Sequence, residues 1–374
     1  MAKEKAAKRG ASIAGSRTPT IAALRAKIDR VDQELVRLMN DRAQLALEIG
    51  KVKSSSGISA YAPAREDEVL NRVLSLSKGP LADRCVRAVF REIISGSRSL
   101  EKDLRVAYLG PAYSYSHLAA IHRFGQSVEL VPVSNIPAVF EEINRRHADF
   151  GLVPIENSTD GRVADTLDMF ARLPARICGE VQLRIHHNLL GRCARSEVEE
   201  VYSKPQALSQ CRNWLARHLP AARMVEVTST TTAAQLAQDK AGAAAIASLQ
   251  AGVHYGLNVL ASDIEDNKGN LTRFAVISDE TGPRTGNDKC ALMFEVEHQP
   301  GSLADAMNVF KKNRLNLTWI ESFPIARPEG GYMFFVELEG HEEDPRVRRA
   351  IATLERKAVR LEVLGSYAKM APVE

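Results

Sequence analysis

The sequence predicts a multidomain chain: an all-α unit that interlocks with a second copy, a two-lobed α/β unit on doubly wound sheets, and an α+β ferredoxin-like module at the C-terminus. Three observations predict this. Apolar residues step by three and four from Ile21 to Val52; short β-rich runs then alternate with helical stretches as far as Ser278; and from Cys290 the order becomes βαββαβ. A chain of 374 residues also exceeds what one core organises, about 100–150 residues per domain being usual. The expected divisions are a disordered basic tail at 1–19, then units at 20–101, 102–283 and 284–374.

The tail is basic and made of small residues, without the apolar stretch of a secretory signal. A solvated tail is the simpler reading, an organelle transit peptide the alternative. In the first unit Ile21, Leu24, Ile28, Val31, Leu35, Leu38, Leu45, Ile49 and Val52 form one stripe, with neither Gly nor Pro before Gly50. Thirty-odd helical residues span about 50 Å, whereas a compact 80-residue domain is about 30 Å across, so the helix needs a second copy to cover it. SSSGISAYAP ends it, and two helices follow near Ala64–Ser77 and Leu81–Glu101.

In the middle unit the expected strands are Arg105–Leu109, Phe150–Pro154, Glu199–Tyr202, Met224–Val227, Ala243–Ile246 and Arg273–Ile277, with Arg176–Leu190 crossing between lobes. The last unit reads as strand Ala291–Val296, helix Ser302–Asn313, strands Leu317–Pro324 and Tyr332–Leu338, helix Asp344–Thr353 and strand Val359–Leu364.

Composition excludes several classes. The longest apolar runs, such as Leu130–Val133, fall far short of the roughly 20 residues that span a bilayer. Cys85, Cys178, Cys193, Cys211 and Cys290 are odd in number and never at metal-ligand spacing, which suits a reducing cytoplasm and no bound metal. A net charge of +4 is spread thinly, with no aromatics among the bases, so nucleic acid is not an expected partner.

Two constellations carry chemistry. The helical stepping places Arg42 on the core stripe, where a guanidinium alone reads as half of a buried ion pair. Lys53 lies eleven residues on, about 16 Å along the same stripe, and the two leave room for a small dianion. Arg25 lies seventeen residues before Arg42, about 26 Å away, and reaches only a partner's pocket.

The second constellation is five polar clusters at strand ends: Gly110–His117, Pro154–Gly161, Ser203–Cys211, Thr228–Ala234 and Asn270–Phe274. Each alone reads as a helix cap; together they suit a ligand cleft, where open α/β folds bind anions at helix N-termini. His186 and His187 read as ordinary strand packing.

ALRAKIDRVDQELVRLMNDRAQLALEIGKVK, YAPAREDEVL and VFREIISGSRSLE resemble the helical chorismate mutase domain over Ile21–Glu101. The resemblance implies a site of Arg42, Lys53, Arg65, Glu66, Ser97 and Glu101, with Arg25 lent by the other subunit of an intertwined dimer. Chorismate to prephenate is a concerted rearrangement that needs a compact conformer and stabilised charge, not a nucleophile. By the resemblance, arginines clamp the carboxylates, Lys53 and a protonated Glu101 address the ether oxygen, and Glu66 holds the ring hydroxyl. Ala62 and Glu101 stand where other members carry Asp and Gln.

PIENS, KPQALSQC and NLTRF make Leu104–Ser278 similar to prephenate dehydratase, whose lobes are periplasmic-binding-protein-like. Thr272 is then the implied catalytic residue, helping the ring hydroxyl leave as water while carbon dioxide departs to give phenylpyruvate. Ser114, Ser116, Asn157, Ser158, Gln206, Thr230, Asn270 and Arg273 are implied to hold substrate, Arg273 as the expected carboxylate clamp. No cofactor is expected. Tyr113 stands where the family has Gly and Lys204 where it has His, which leaves arogenate open as a substrate.

Pro300–Pro324 resembles the ACT regulatory module of these enzymes. The implied effector is phenylalanine, bound by Gly301, Ser302 and Leu303 at a helix start and by Glu321 and Ser322; Phe323 replaces the motif's Arg. A plain dimerisation module is the simpler alternative. The resemblance implies a lyase and isomerase of phenylalanine biosynthesis, a cytoplasmic homodimer or higher homo-oligomer. The rivals are a non-catalytic two-lobed binding or regulatory protein, which leaves the first unit's cations unexplained, and an enzyme with one activity only.

Overall fold

The computed structural model describes residues 20–56, 63–325 and 331–373; the basic tail and residues 57–62 of the expected break SSSGISAYAP, Ala62 among them, lie outside the described residues. The first unit is three helices, α1 (Ile21–Ser56), α2 (Pro63–Leu76) and α3 (Asp83–Ser99). At 36 residues α1 is about 54 Å long. Along it Ile28, Val31, Leu35, Leu45 and Ile49 are 51–60 % exposed in the single chain. Complete burial of an exposed side chain of this kind is worth about 1.5–3 kcal/mol, so covering the exposed half of each is worth about 1 kcal/mol.

The middle unit opens with β1 (Arg105–Leu109), α4 (Tyr115–Phe124), β2 (Glu129–Val133), α5 (Ile136–Asn144), β3 (Phe150–Asn157), β4 (Gly161–Arg162), α6 (Ala164–Arg172) and β5 (Arg176–Arg184). The chain then crosses to a second lobe of β6 (Asn188–Gly191), β7 (Glu200–Ser203), α7 (Pro205–Gln210), α8 (Arg212–His218), β8 (Arg223–Glu226), α9 (Thr230–Asp239), β9 (Ala243–Ala247), α10 (Leu249–His254) and β10 (Asn258–Ala261). It returns through β11 (Leu271–Ser278) into the first sheet.

The sheets run β2-β1-β3-β11-β5, with β4 hairpinned on β3, and β10-β6-β9-β7-β8. They are mixed rather than wholly parallel. β11 returns from the other lobe and therefore lies antiparallel to β3 and β5, while β6 lies antiparallel to β9 and β10. Sequence periodicity missed β2, because Pro132 interrupts it; as an edge strand β2 tolerates a residue without an N–H.

The last unit is β12 (Asp288–Glu295), α11 (Ser302–Lys312), β13 (Leu317–Pro324), β14 (Tyr332–Glu339), α12 (Pro345–Glu355) and β15 (Arg360–Ala368), an antiparallel sheet in the order β13-β14-β12-β15. Phe294, Phe310, Val336 and Leu354 bury the helices against one face. The other face presents Met293, Phe335 and Tyr367 to Phe140, Ile177 and Ile277 of the first lobe, in one shared core. Where β15 meets β5, a Cβ at Gly365 would lie 2.2 Å from the Ile177 carbonyl oxygen, so only glycine lets the strands approach.

α3 docks on the C-terminal end of α4. Ser95 Oγ donates to the Phe124 carbonyl at 2.7 Å and Arg98 Nη2 to the same oxygen at 2.5 Å, placing a cation on the negative end of that helix. His122 lies at this junction. Burial, with Arg91, Arg123 and Arg87 nearby, pushes its pKa down to about 4. The folded protein therefore keeps His122 neutral while the unfolded chain protonates it below about 6.5, so stability falls as pH drops through that window. Urea unfolding at pH 7 and pH 4.5 is expected to show this contribution as about 2–3 kcal/mol, and His122→Phe to remove that share.

Candidate active sites

Between α1 and α3, Arg42 Nη1 donates to Ser97 Oγ at 2.5 Å and Lys53 Nζ lies 3.2 Å from Glu101 Oε2. Gly50, one helical turn before Lys53, leaves space for this: a Cβ there would sit 2.9 Å from Glu101 Cγ. Four of the seven expected residues thus meet on one seam. Glu66 approaches from α2 and accepts a hydrogen bond from Arg98 Nη1. Arg98 is a residue that sequence reasoning did not single out; its other nitrogen holds the Phe124 carbonyl, so it links the seam to the middle unit.

Arg65 turns outward and pairs with Glu68 at 2.8 Å. Arg25 is exposed near the start of α1, about 26 Å from Arg42 along the axis, and does not join the seam of its own chain.

The middle unit holds a cleft of about 900 Å³ between its lobes. The N-termini of α4 and α9 face it, capped by Ser114 and Ser229, with Ser116 and Thr230 in their first turns. Thr272 stands at its floor, held by a directed chain of side chains. Asn157 Oδ1 accepts from the Thr159 and Asp160 amides at 2.9 and 3.1 Å, which turns its NH₂ toward Thr272 Oγ1 at 2.8 Å and Asn270 Oδ1 at 3.2 Å. Thr272 Oγ1 is therefore an acceptor toward Asn157, and its own hydrogen is free to point into the cleft.

Asn270 Nδ2 in turn donates to Gln210 Oε1 at 2.9 Å, and His187 Nε2 lies 2.8 Å from the same oxygen. Burial lowers the His187 pKa. Burial raises the Tyr115 hydroxyl well above its ordinary value, keeping it a donor, here to the His186 carbonyl at 2.7 Å. His187 thus belongs to the cleft rather than to strand packing. Its place after Arg176–Leu190 begins crossing the lobes was the signal available. Gln206 Nε2 and Gln210 Nε2 both reach Asp160 Oδ2 across the cleft.

Two expected ligands lie elsewhere. Ser158 Oγ accepts from the Leu271 amide at 2.9 Å and serves as a tie between the ends of β3 and β11. Arg273 faces away from the cleft, because successive side chains of a strand point to opposite faces and Thr272 takes the cleft side. Its guanidinium meets Glu156 at 2.7 Å, Glu337 at 2.6 Å and Glu180 at 3.2 Å, and lies 5.5 Å from the centre of the Trp319 ring. Lys289 pairs with Glu180 at 2.9 Å, and Tyr367 donates to Glu337 at 2.6 Å. Although burial alone opposes it, Glu337 and its neighbours hold the Arg273 pKa above its usual value. Arg273 therefore joins β11, the strand of Thr272, to the last unit.

Tyr113, in the family's Gly position, has φ 64, a left-handed backbone that favours glycine, and stacks on His254 at 4.0 Å. Lys204 precedes α7 and lines the cleft. In the last unit Gly301, at φ 93, opens α11 with Ser302 and Leu303 following. Glu321 and Ser322 sit on the edge strand β13, where Arg162 Nη1 meets Glu321 Oε2 at 3.1 Å and the Ser322 carbonyl at 2.8 Å. His186, Asp263 and Glu265 bring ligand atoms within 4.8 Å of one another, with Lys268 3.8 Å from Glu265 as their neighbouring cation.

Fold and sites together define a multidomain enzyme with two separate reaction centres and a ferredoxin-like module packed on the second. Models of three families match in order: chorismate mutase type II at 24–102, prephenate dehydratase at 106–282 and the ACT domain at 291–356. A bifunctional chorismate mutase/prephenate dehydratase from Aquifex aeolicus is 44% identical, the match covering 92% of this chain and 97% of that one; one from Stutzerimonas stutzeri is 40% identical over 95% and 99%. The structure of prephenate dehydratase from Arthrobacter aurescens, in complex with L-Phe, is 34% identical with a TM-score of 0.67 over 71% of this chain and 90% of that chain. The chain belongs to the bifunctional chorismate mutase/prephenate dehydratase family.

No described helix is long and apolar enough to cross a membrane.

Proposed function

We propose that this chain converts chorismate to prephenate at the α1–α3 seam and prephenate to phenylpyruvate at Thr272, under feedback from phenylalanine. The observation that carries the second step is the orientation of Thr272: Asn157 occupies its acceptor side, so its hydrogen is directed to a leaving hydroxyl in the cleft. Aromatisation drives loss of water and carbon dioxide, and a positioned donor suffices to start it. The amides of α4 and α9 favour the substrate's carboxylates.

In the seam Arg42 clamps one carboxylate of chorismate, while Arg65 exchanges its exposed Glu68 partner, a pair worth at most about 1 kcal/mol, for the other. Lys53 and the acid form of Glu101 address the ether oxygen as it gains negative charge, and Glu66 orients the ring hydroxyl. Arg25 comes from a second copy, whose α1 covers the exposed apolar stripe. Phenylalanine binds at Gly301–Leu303 and at Glu321 and Ser322, between paired C-terminal modules.

The test is a time course with chorismate and purified protein, following chorismate, prephenate and phenylpyruvate separately. Prephenate is expected to rise and then fall as phenylpyruvate appears. Prephenate that accumulates without further conversion contradicts the dehydratase assignment, and chorismate that persists contradicts the mutase.

A further inference from the structure

With Arg273 held by three carboxylates and absent from the cleft lining, Arg162 and Lys204 are the two Arg or Lys side chains among the residues that line the cleft, of those described. Prephenate carries two carboxylates, so these two side chains are the charge available to balance it; this deepens the dehydratase reading and rests on it. Their circumstances differ. Lys204 begins α7 at the cleft edge, whereas Arg162 is already engaged by another unit.

Arg162 sits on β4, paired with Glu156 of β3 and so on the same sheet face as Arg273, but in the short edge hairpin whose residues 160–163 line the cleft, beside the Gly161–Asn157 pair whose Asn157 orients Thr272. Its guanidinium simultaneously grips Glu321 and the Ser322 carbonyl of β13. The side chains of Arg162 and Glu321 are 38% and 25% exposed, so this contact is hydrated and exchangeable. Arg273, at 10%, is instead locked by three carboxylates and cannot trade them for substrate.

We propose that Arg162 is a substrate-binding residue of the dehydratase, clamping one prephenate carboxylate, and that Glu321 of the C-terminal module competes for the same guanidinium. One cation is then shared by the cleft and β13. Whatever strengthens the hold of β13 on Arg162 weakens prephenate binding, and an effector that acts this way loses affinity in the presence of prephenate by the same factor, because coupling between sites is reciprocal.

The test is steady-state kinetics of Arg162→Ala, Glu321→Gln and the double variant on prephenate, with chorismate loss by the same samples reporting an intact fold. Losing one charge-assisted contact is expected to lower kcat/KM of Arg162→Ala about tenfold, chiefly through KM. Glu321→Gln frees the guanidinium and is expected to lower KM about two- to threefold. The double variant should match Arg162→Ala, since without the guanidinium Glu321 has nothing to withhold. An unchanged KM in Arg162→Ala, or a KM that rises in Glu321→Gln, overturns the proposal and leaves the contact a plain tether. Wild-type protein that fails to turn over prephenate at all defeats the underlying dehydratase reading instead, so the two failures are distinguishable.

Discussion

Replacing Thr272 with valine is expected to lower the dehydratase kcat by about 10²–10⁴ while chorismate disappears at the wild-type rate. Valine keeps the shape and the β-branched fit to its strand, so the sheet survives. What goes is the hydroxyl that accepts from Asn157 at 2.8 Å and lines the cleft. The rest of the polar chain through Asn270, Gln210 and His187 remains bonded, so the loss reports proton donation rather than collapse of the site. Prephenate conversion and chorismate loss, measured on one preparation, check it.

The largest expected effect on stability comes from Arg273→Met. Glu337 is fully buried, Glu180 is 1% exposed and Lys289 5%, so their charges are balanced by one another rather than by water. Removing the guanidinium leaves Glu180 and Glu337 facing a single Lys289, and breaking a buried pair this way costs about 3–5 kcal/mol. Arg273→Lys should not restore it, because one ammonium cannot reach Glu156 and Glu337 together as the fork does. Urea unfolding checks both variants, and the Trp319 fluorescence beside the guanidinium is expected to change with the same substitutions.

The same two residues show how much the sequence discloses. NLTRF marked a strand beside a cleft, and it is one; yet two adjacent strand residues cannot both face the ligand, and that alternation was sufficient to separate Thr272 from Arg273 before any coordinates. The long first helix was legible because a three-four stepping with no breaker admits little else, and Arg42 and Lys53 followed from it. Arg98 was not legible: it divides its guanidinium between Glu66 and the main-chain carbonyl of Phe124, and no side-chain pattern encodes the second. The Arg162–Glu321 contact joins positions 159 residues apart, so only the folded packing of the last sheet on the first lobe brings it about. β2 was hidden by Pro132, whose missing N–H matters in a central strand but not on an edge.

Mixing two variants that each lack one step tests the separation of the two centres most directly. Given chorismate, Arg42→Ala alone should leave it unconverted and Thr272→Val alone should stop at prephenate, whereas the mixture should deliver phenylpyruvate. A silent mixture, or either variant completing both steps unaided, contradicts two distinct sites on one chain.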